Sequence, residues 1–177
     1  ILQLGNIGKE DFSEEAYFDV IRKKTAALFK ASSQSGAVSV GAVQEEVMKA
    51  GLLGEMIGIA FQIKDDIFDY FESPELGKPT GNDMLEGKLT LPALYVLNQT
   101  GDDSLKQAAL RIRSLEASKE EIANFVETVK EKGGIEYATR MMYEFRDKAL
   151  ALVPASADSS LKEALTAYID YVIERNK

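Results

Sequence analysis

Apolar residues recur with a helical period along nearly the whole chain, and strand-like alternation is nowhere sustained for a useful length. Ser13, followed by Glu14 and Glu15, reads as the cap of a helix over 16–33, whose exit Gly36 and Gly41 punctuate. Tyr17, Val20, Ile21, Leu28 and Ser32 trace one face of that helix, with Lys24 and Thr25 inside the stripe and Lys23 outside it. The next stretch, 43–71, is apolar on nearly every side and carries Gly51, Gly54 and Gly58. It predicts a buried helix with close neighbours and a break near Gly51.

Residues 72–82, ESPELGKPTGN, hold two prolines and two glycines and predict a loop. Asn82 or Asp83 is placed to cap a short helix ending near Gly87, and Thr90 before Pro92 to open another through ALYVLNQ. Helices are then expected near 103–114, 119–132, 135–152 and 159–174. Their separators are a Ser118–Glu121 capping box, the Gly133-Gly134 pair and Pro154. The pattern predicts an all-α fold, with 1–177 as a single domain.

Composition narrows the chemistry. With 45% apolar residues the chain has ample core material, and 21 basic against 29 acidic residues leave a net charge of −8. Nucleic acid is therefore not an expected partner, since a phosphate backbone needs a positive footprint. Cysteine and histidine are both absent, which removes thiolate nucleophiles, the commonest general base and the usual zinc ligands. Catalysis must rest on carboxylates, Lys, Arg, Tyr, hydroxyls or a hard metal ion. No apolar run approaches the roughly 18 residues of a membrane span, and the expected location is cytoplasmic. The opening ILQLGN has no initiator Met and reads as the tail of a helix, so a fragment is expected.

One decapeptide, FQIKDDIFDY at 61–70, sets three aspartates among core-like residues. Gln62, Asp65, Asp66 and Asp69 fall at i, i+3, i+4 and i+7 and form one narrow polar strip. Like charges at that spacing repel, and desolvation adds to the cost. A cation is the natural partner, and oxygen ligands alone favour Mg²⁺, which commonly shares its shell with substrate phosphates. A solvated edge, or ion pairs with lysines, would account for the aspartates alone. Lys24, on the core-facing stripe, either snorkels to the surface or reaches into a polar cavity. Lys78 and Lys88 each follow a glycine and are candidates to swing over a diphosphate as point charges, or else ordinary surface lysines.

The string FQIKDDIFDYFESPELGKPTGNDMLEGKLTLPALYVL resembles the second aspartate-rich region of the trans-isoprenyl diphosphate synthases, the polyprenyl synthetase family, and YFDVIRKKTAALFKASSQSGA is similar to its Lys-Thr helix. The resemblance covers essentially the whole chain. It implies the C-terminal portion of an isoprenoid-synthase helical bundle, in a long-chain, octaprenyl-like synthase that depends on Mg²⁺ and is a homodimer when intact. The implied reaction joins isopentenyl diphosphate to an allylic diphosphate. By the same resemblance, Asp65, Asp66 and Asp69 are metal ligands, and Lys24, Thr25, Gln62 and Lys78 contact the allylic diphosphate. Lys88 lies in the loop that closes on it, and Phe61 near the substrate head groups. Lys24, Lys78 and Lys88 would act in catalysis by stabilising the departing diphosphate.

The family's first aspartate-rich motif, its following arginine pair and the upstream residues for isopentenyl diphosphate have no match here. The chain alone is accordingly expected to be inactive. A non-catalytic partner subunit of a prenyltransferase is the main alternative; a terpene cyclase relative fits GKPTGND and EGK less well, and a ligand-free helical module requires the acidic strip to face solvent.

Overall fold

The computed structural model describes residues 12–71 and 80–175. Every regular element among them is helical, as the periodicity predicts. Helix α1 (Glu14–Ile21) continues through a π turn, Arg22–Ala26, into α2 (Ala27–Ser39). Then come α3 (Gln44–Phe68), α4 (Asn82–Leu85), α5 (Leu91–Thr100), α6 (Asp103–Arg113), α7 (Lys119–Glu131), α8 (Gly134–Ala151) and α9 (Ser159–Glu174). The capping box at the head of α7 forms as expected: Ser118 accepts from the Glu121 N–H while the Glu121 carboxylate accepts from the Ser118 N–H. Asp102 and Asp158 cap α6 and α9 in the same sense.

The first two predicted helices differ from expectation, for one shared reason. Gly36 lies inside α2, and the turn comes at Gly41, whose φ of +73° suits glycine. Gly51 does not break α3, which runs unbroken for 25 residues. Its glycines instead allow close approach: a Cβ on Gly54 would lie 2.5 Å from the Phe29 carbonyl oxygen, and one on Gly58 only 2.6 Å from Ala26 Cα.

The π turn also overturns the expected core stripe of the first helix. The Ala27 N–H reaches back to the Arg22 carbonyl, five residues earlier, so one extra residue enters the turn. Before it, Tyr17 and Ile21 are buried as predicted. After it the buried position is Ala26, while Lys24 is exposed and Leu28 is 71% exposed. Lys24 is therefore not a core-facing lysine, because the inserted residue has rotated the stripe outward.

The described residues fall into two compact units. One holds 12–17 and Asp65–Thr139; the other holds Phe18–Lys64 and 140–175. In the first, α5 and α7 supply a core of Leu91, Leu94, Leu97, Phe125, Val126 and Val129, all at most 2% exposed. The Tyr95 and Tyr137 rings stack with centroids 4.0 Å apart, and the Tyr137 hydroxyl donates to Glu14 Oε2 at 2.6 Å. In the second, Ile59, Ala60, Ile63, Ile169 and Ile173 are almost wholly buried, and Arg146 of α8 pairs with Asp170 of α9 at 2.6 Å.

Truncating Leu94 to Ala should cost about 3 kcal/mol in denaturant unfolding, the usual penalty for a buried leucine. A second expectation concerns acid. Hydrogen bonds from the Ser118 N–H first, then from Arg111, hold the Glu121 carboxyl at about 2, below its ordinary 4.5. A depressed carboxylate contributes stability that is fully present above 4.5 and is lost as pH falls toward 2. Glu121→Gln should flatten that part of the acid unfolding curve.

Candidate functional site

The acidic end of α3 lies in the first unit, and each aspartate meets different surroundings. Asp66 is only 4% exposed, and the buried Tyr17 hydroxyl donates to its Oδ2 at 2.5 Å. Burial, reinforced by the negative charge of Asp66, holds the Tyr17 phenol well above its ordinary range, so it stays a donor. Asp69 sits just past the helix end and takes the backbone N–H groups of Asn82 and Asp83 at 3.1 and 3.0 Å, one on each oxygen. Its own carbonyl accepts from the Gly81 N–H at 2.8 Å.

That arrangement corrects the expectation that Asn82 or Asp83 caps α4. The N-cap position is Gly81 at φ 76°, a left-handed backbone that glycine tolerates, and the capping oxygens arrive from Asp69. Next along the chain, Tyr70 is 1% exposed. Its hydroxyl makes no regular hydrogen bond among the described residues, although Thr90 and Ala93 stand beside it, and burial pushes its phenol upward.

Among the described residues no three acidic side chains are arranged to hold a metal ion by themselves. Asp66 and Asp69 both accept hydrogen bonds from donors within the unit. Asp65 is partly exposed. Such a donor set suits a hard cation that takes one or two carboxylates and fills its remaining places with water or phosphate oxygens, as Mg²⁺ does. It does not suit an all-protein cage. Lys88 stands at the far end of α4, 3.8 Å from Asp83 Oδ1 and paired with Glu86, whose hydrogen bond raises the ammonium pKa. Lys78 lies outside the described residues.

The second unit holds the other predicted residues. Thr25 Oγ1 donates to Gln62 Oε1 at 2.6 Å, so two residues assigned to one ligand do touch. Lys24, in the same π turn, is exposed and forms no ion pair among the described residues. Phe61 is packed between the Phe29 ring, 5.3 Å away, and the Arg175 guanidinium, 3.8 Å from its centroid. Glu55, 8% exposed, takes Arg22 at 3.1 Å and Lys30 at 2.7 Å.

Sequence reasoning missed the long-range partnerships of Tyr17 and Glu55. Each carries a signal: a tyrosine on a buried stripe needs a partner for its hydroxyl, and a lone glutamate within LLGEMIGIAFQI needs cations. The backbone donors of Asn82 and Asp83 carry no such signal, because they depend on how the chain folds back onto Asp69.

Comparison with known proteins adds an independent line. The polyprenyl synthetase family profile matches residues 1–129. The octaprenyl diphosphate synthase of Escherichia coli (strain K12) is 31% identical over 178 aligned positions, covering 100% of this chain and 55% of that protein. The crystal structure of geranylgeranyl pyrophosphate synthase from Bacteroides thetaiotaomicron superposes with a TM-score of 0.92 at 56% identity, over 98% of this chain and 58% of that one. A polyprenyl synthase from Caulobacter crescentus CB15, solved with calcium and isoprenyl diphosphate, gives a TM-score of 0.81 at 30% identity, over 96% and 52%. The chain spans about half the length of the curated relatives it matches. With the profile covering most of its length, the chain belongs to the polyprenyl synthetase family.

Proposed function

We propose that this chain is part of a prenyltransferase that adds isopentenyl diphosphate to an allylic diphosphate, giving a polyprenyl diphosphate. The observation that carries the reading is the acidic end of α3: three carboxylates set among apolar residues at and just past its last turn, two of them already positioned by Tyr17 and by the α4 amides. Asp65, Asp66 and Asp69 would hold Mg²⁺, which when bound neutralises diphosphate charge and so eases loss of the leaving group. The Caulobacter crescentus CB15 polyprenyl synthase, solved with calcium and isoprenyl diphosphate, supports a divalent ion and a diphosphate as the ligands of this reading.

The chain's own residues have separable tasks. Lys24 and Thr25 would bind the allylic diphosphate through an ammonium and a hydroxyl, with Gln62 orienting the hydroxyl through its 2.6 Å hydrogen bond. Phe61 would lie near the head groups. Lys78 and Lys88 would bring positive charge to the departing diphosphate, and Lys88 must first exchange Glu86 for it. The proton lost on condensation would pass to the released diphosphate, a route that asks for no histidine from this chain.

Activity belongs to a protein that also supplies the first aspartate-rich motif, which has no counterpart in these 177 residues. We take the intact enzyme to be a cytoplasmic homo-oligomer, and this chain by itself to be inactive. A partner-subunit role is the second reading, and it gains if no form of the intact protein turns over.

The test uses the intact protein carrying this segment. With Mg²⁺, an allylic diphosphate and labelled isopentenyl diphosphate it should yield labelled prenyl diphosphate, and Asp65→Asn should lower kcat/KM roughly 100-fold. The Mg²⁺-dependent rise in Tm produced by diphosphate should shrink in parallel. Absence of both turnover and that rise in the unmutated protein would refute the reading. Tyr17→Phe, which removes one hydrogen bond from the buried Asp66 carboxylate, should cost about 1–3 kcal/mol in an unfolding experiment.

A further inference from the structure

Three residues of α3, Glu55, Gly58 and Gln62, stand at i, i+3 and i+7 on one face, and all three engage the segment around the π turn. Glu55 takes Arg22, the first residue of the turn, and Lys30, beyond its end. At Gly58 the backbones come so close that a Cβ would lie 2.6 Å from Ala26 Cα and 3.0 Å from its Cβ. Gln62 accepts the Thr25 hydroxyl.

Register links these contacts. In an uninterrupted α-helix, residues eight apart, such as 22 and 30, are offset by about 80°. With one residue looped out in the π turn they stand as i and i+7 and share a face, so one carboxylate can take both. The same insertion puts Ala26 against Gly58; a regular helix continuing the Tyr17–Ile21 face would bring Thr25 or Leu28 around instead. The Glu55 ion pairs and the Gly58 contact are thus satisfied in only one of the two registers.

We propose that Glu55 and Gly58 are positioning residues that hold the Arg22–Ala26 segment in its π register and so present Lys24 and Thr25 to the allylic diphosphate. The proposal rests on the functional reading above. Neither residue touches substrate. Glu55 acts through Arg22 and Lys30, which bracket the turn, and Gly58 through the Ala26 backbone inside it. Without the clamp the segment can relax to a regular helix, which rotates Lys24 and Thr25 relative to Gln62.

The intact protein tests this with Glu55→Gln, which keeps the side-chain size and removes its charge, and with Gly58→Ala. Each should raise KM for the allylic diphosphate roughly tenfold and lower kcat more modestly through Lys24, with KM for isopentenyl diphosphate changed less than about twofold. Amide hydrogen exchange should quicken at residues 22–27 in Glu55→Gln while the cores of α5 and α7 stay protected. Equal changes in both KM values and kcat, accompanied by a lower Tm, would show a merely structural role and overturn the proposal. So would unaltered exchange at 22–27. If Gly58→Ala fails to fold, Glu55→Gln decides alone. A wild-type protein without turnover refutes the functional reading instead, and the register clamp is then judged on exchange.

Discussion

A carboxylate can sit on an apolar helix only where the fold brings hydrogens or positive charge to it. α3 meets that requirement repeatedly along its length, and the organisation of the molecule follows from how. Near its middle, Glu55 takes two cations from the first helical segment and fixes that segment against α3. About three and four turns later, Asp66 takes a tyrosine hydroxyl and Asp69 takes two backbone amides. Each acid therefore recruits an element. Removing any of these partners takes hydrogen bonds or charge from a carboxylate set on an apolar stretch, which opposes slippage of the element that supplies it.

The elements themselves were largely legible. Capping chemistry is local, so Ser118 with Glu121 and Thr90 before Pro92 mark helix starts that occur where expected. What sequence pattern could not supply is long-range. RKKTA contains nothing that distinguishes a π turn from an α turn, because the extra residue is accommodated by contacts with Glu55, Gly58 and Gln62, which lie 25 to 37 residues away. The periodicity argument, extended unchanged through residue 22, consequently put Lys24 and Leu28 on the core side. The glycines of 51–58 failed differently. Glycine is both a helix breaker and the residue that admits a neighbouring backbone, and only the neighbour decides which.

The candidate site divides the same way. The spacing of Gln62, Asp65, Asp66 and Asp69 follows from helix geometry and was readable directly, and the Thr25–Gln62 contact agrees with their assignment to one ligand. The differences among the aspartates were not readable, since three identical side chains in DDIFD look equivalent. Tyr17 and the amides of Asn82 and Asp83 make them inequivalent.

That inequivalence bears on how a strip of like charges is used. Three ionised carboxylates directed at one point would repel strongly and would form a stable arrangement only with the cation in place. Here Asp66 accepts from a phenol that burial keeps from ionising, and Asp69 accepts from two peptide N–H groups, one on each oxygen. The strip is thereby held before any ion arrives, at the expense of acceptor capacity that a three-carboxylate cage would need. A cation bound under those terms gains few protein ligands and keeps sites for other oxygens, the coordination that lets an ion bridge a protein to a diphosphate instead of being enclosed by the protein. On the proposed reading, hydrogen bonds spent on structure within the fold would set how much of an ion's shell is left for substrate.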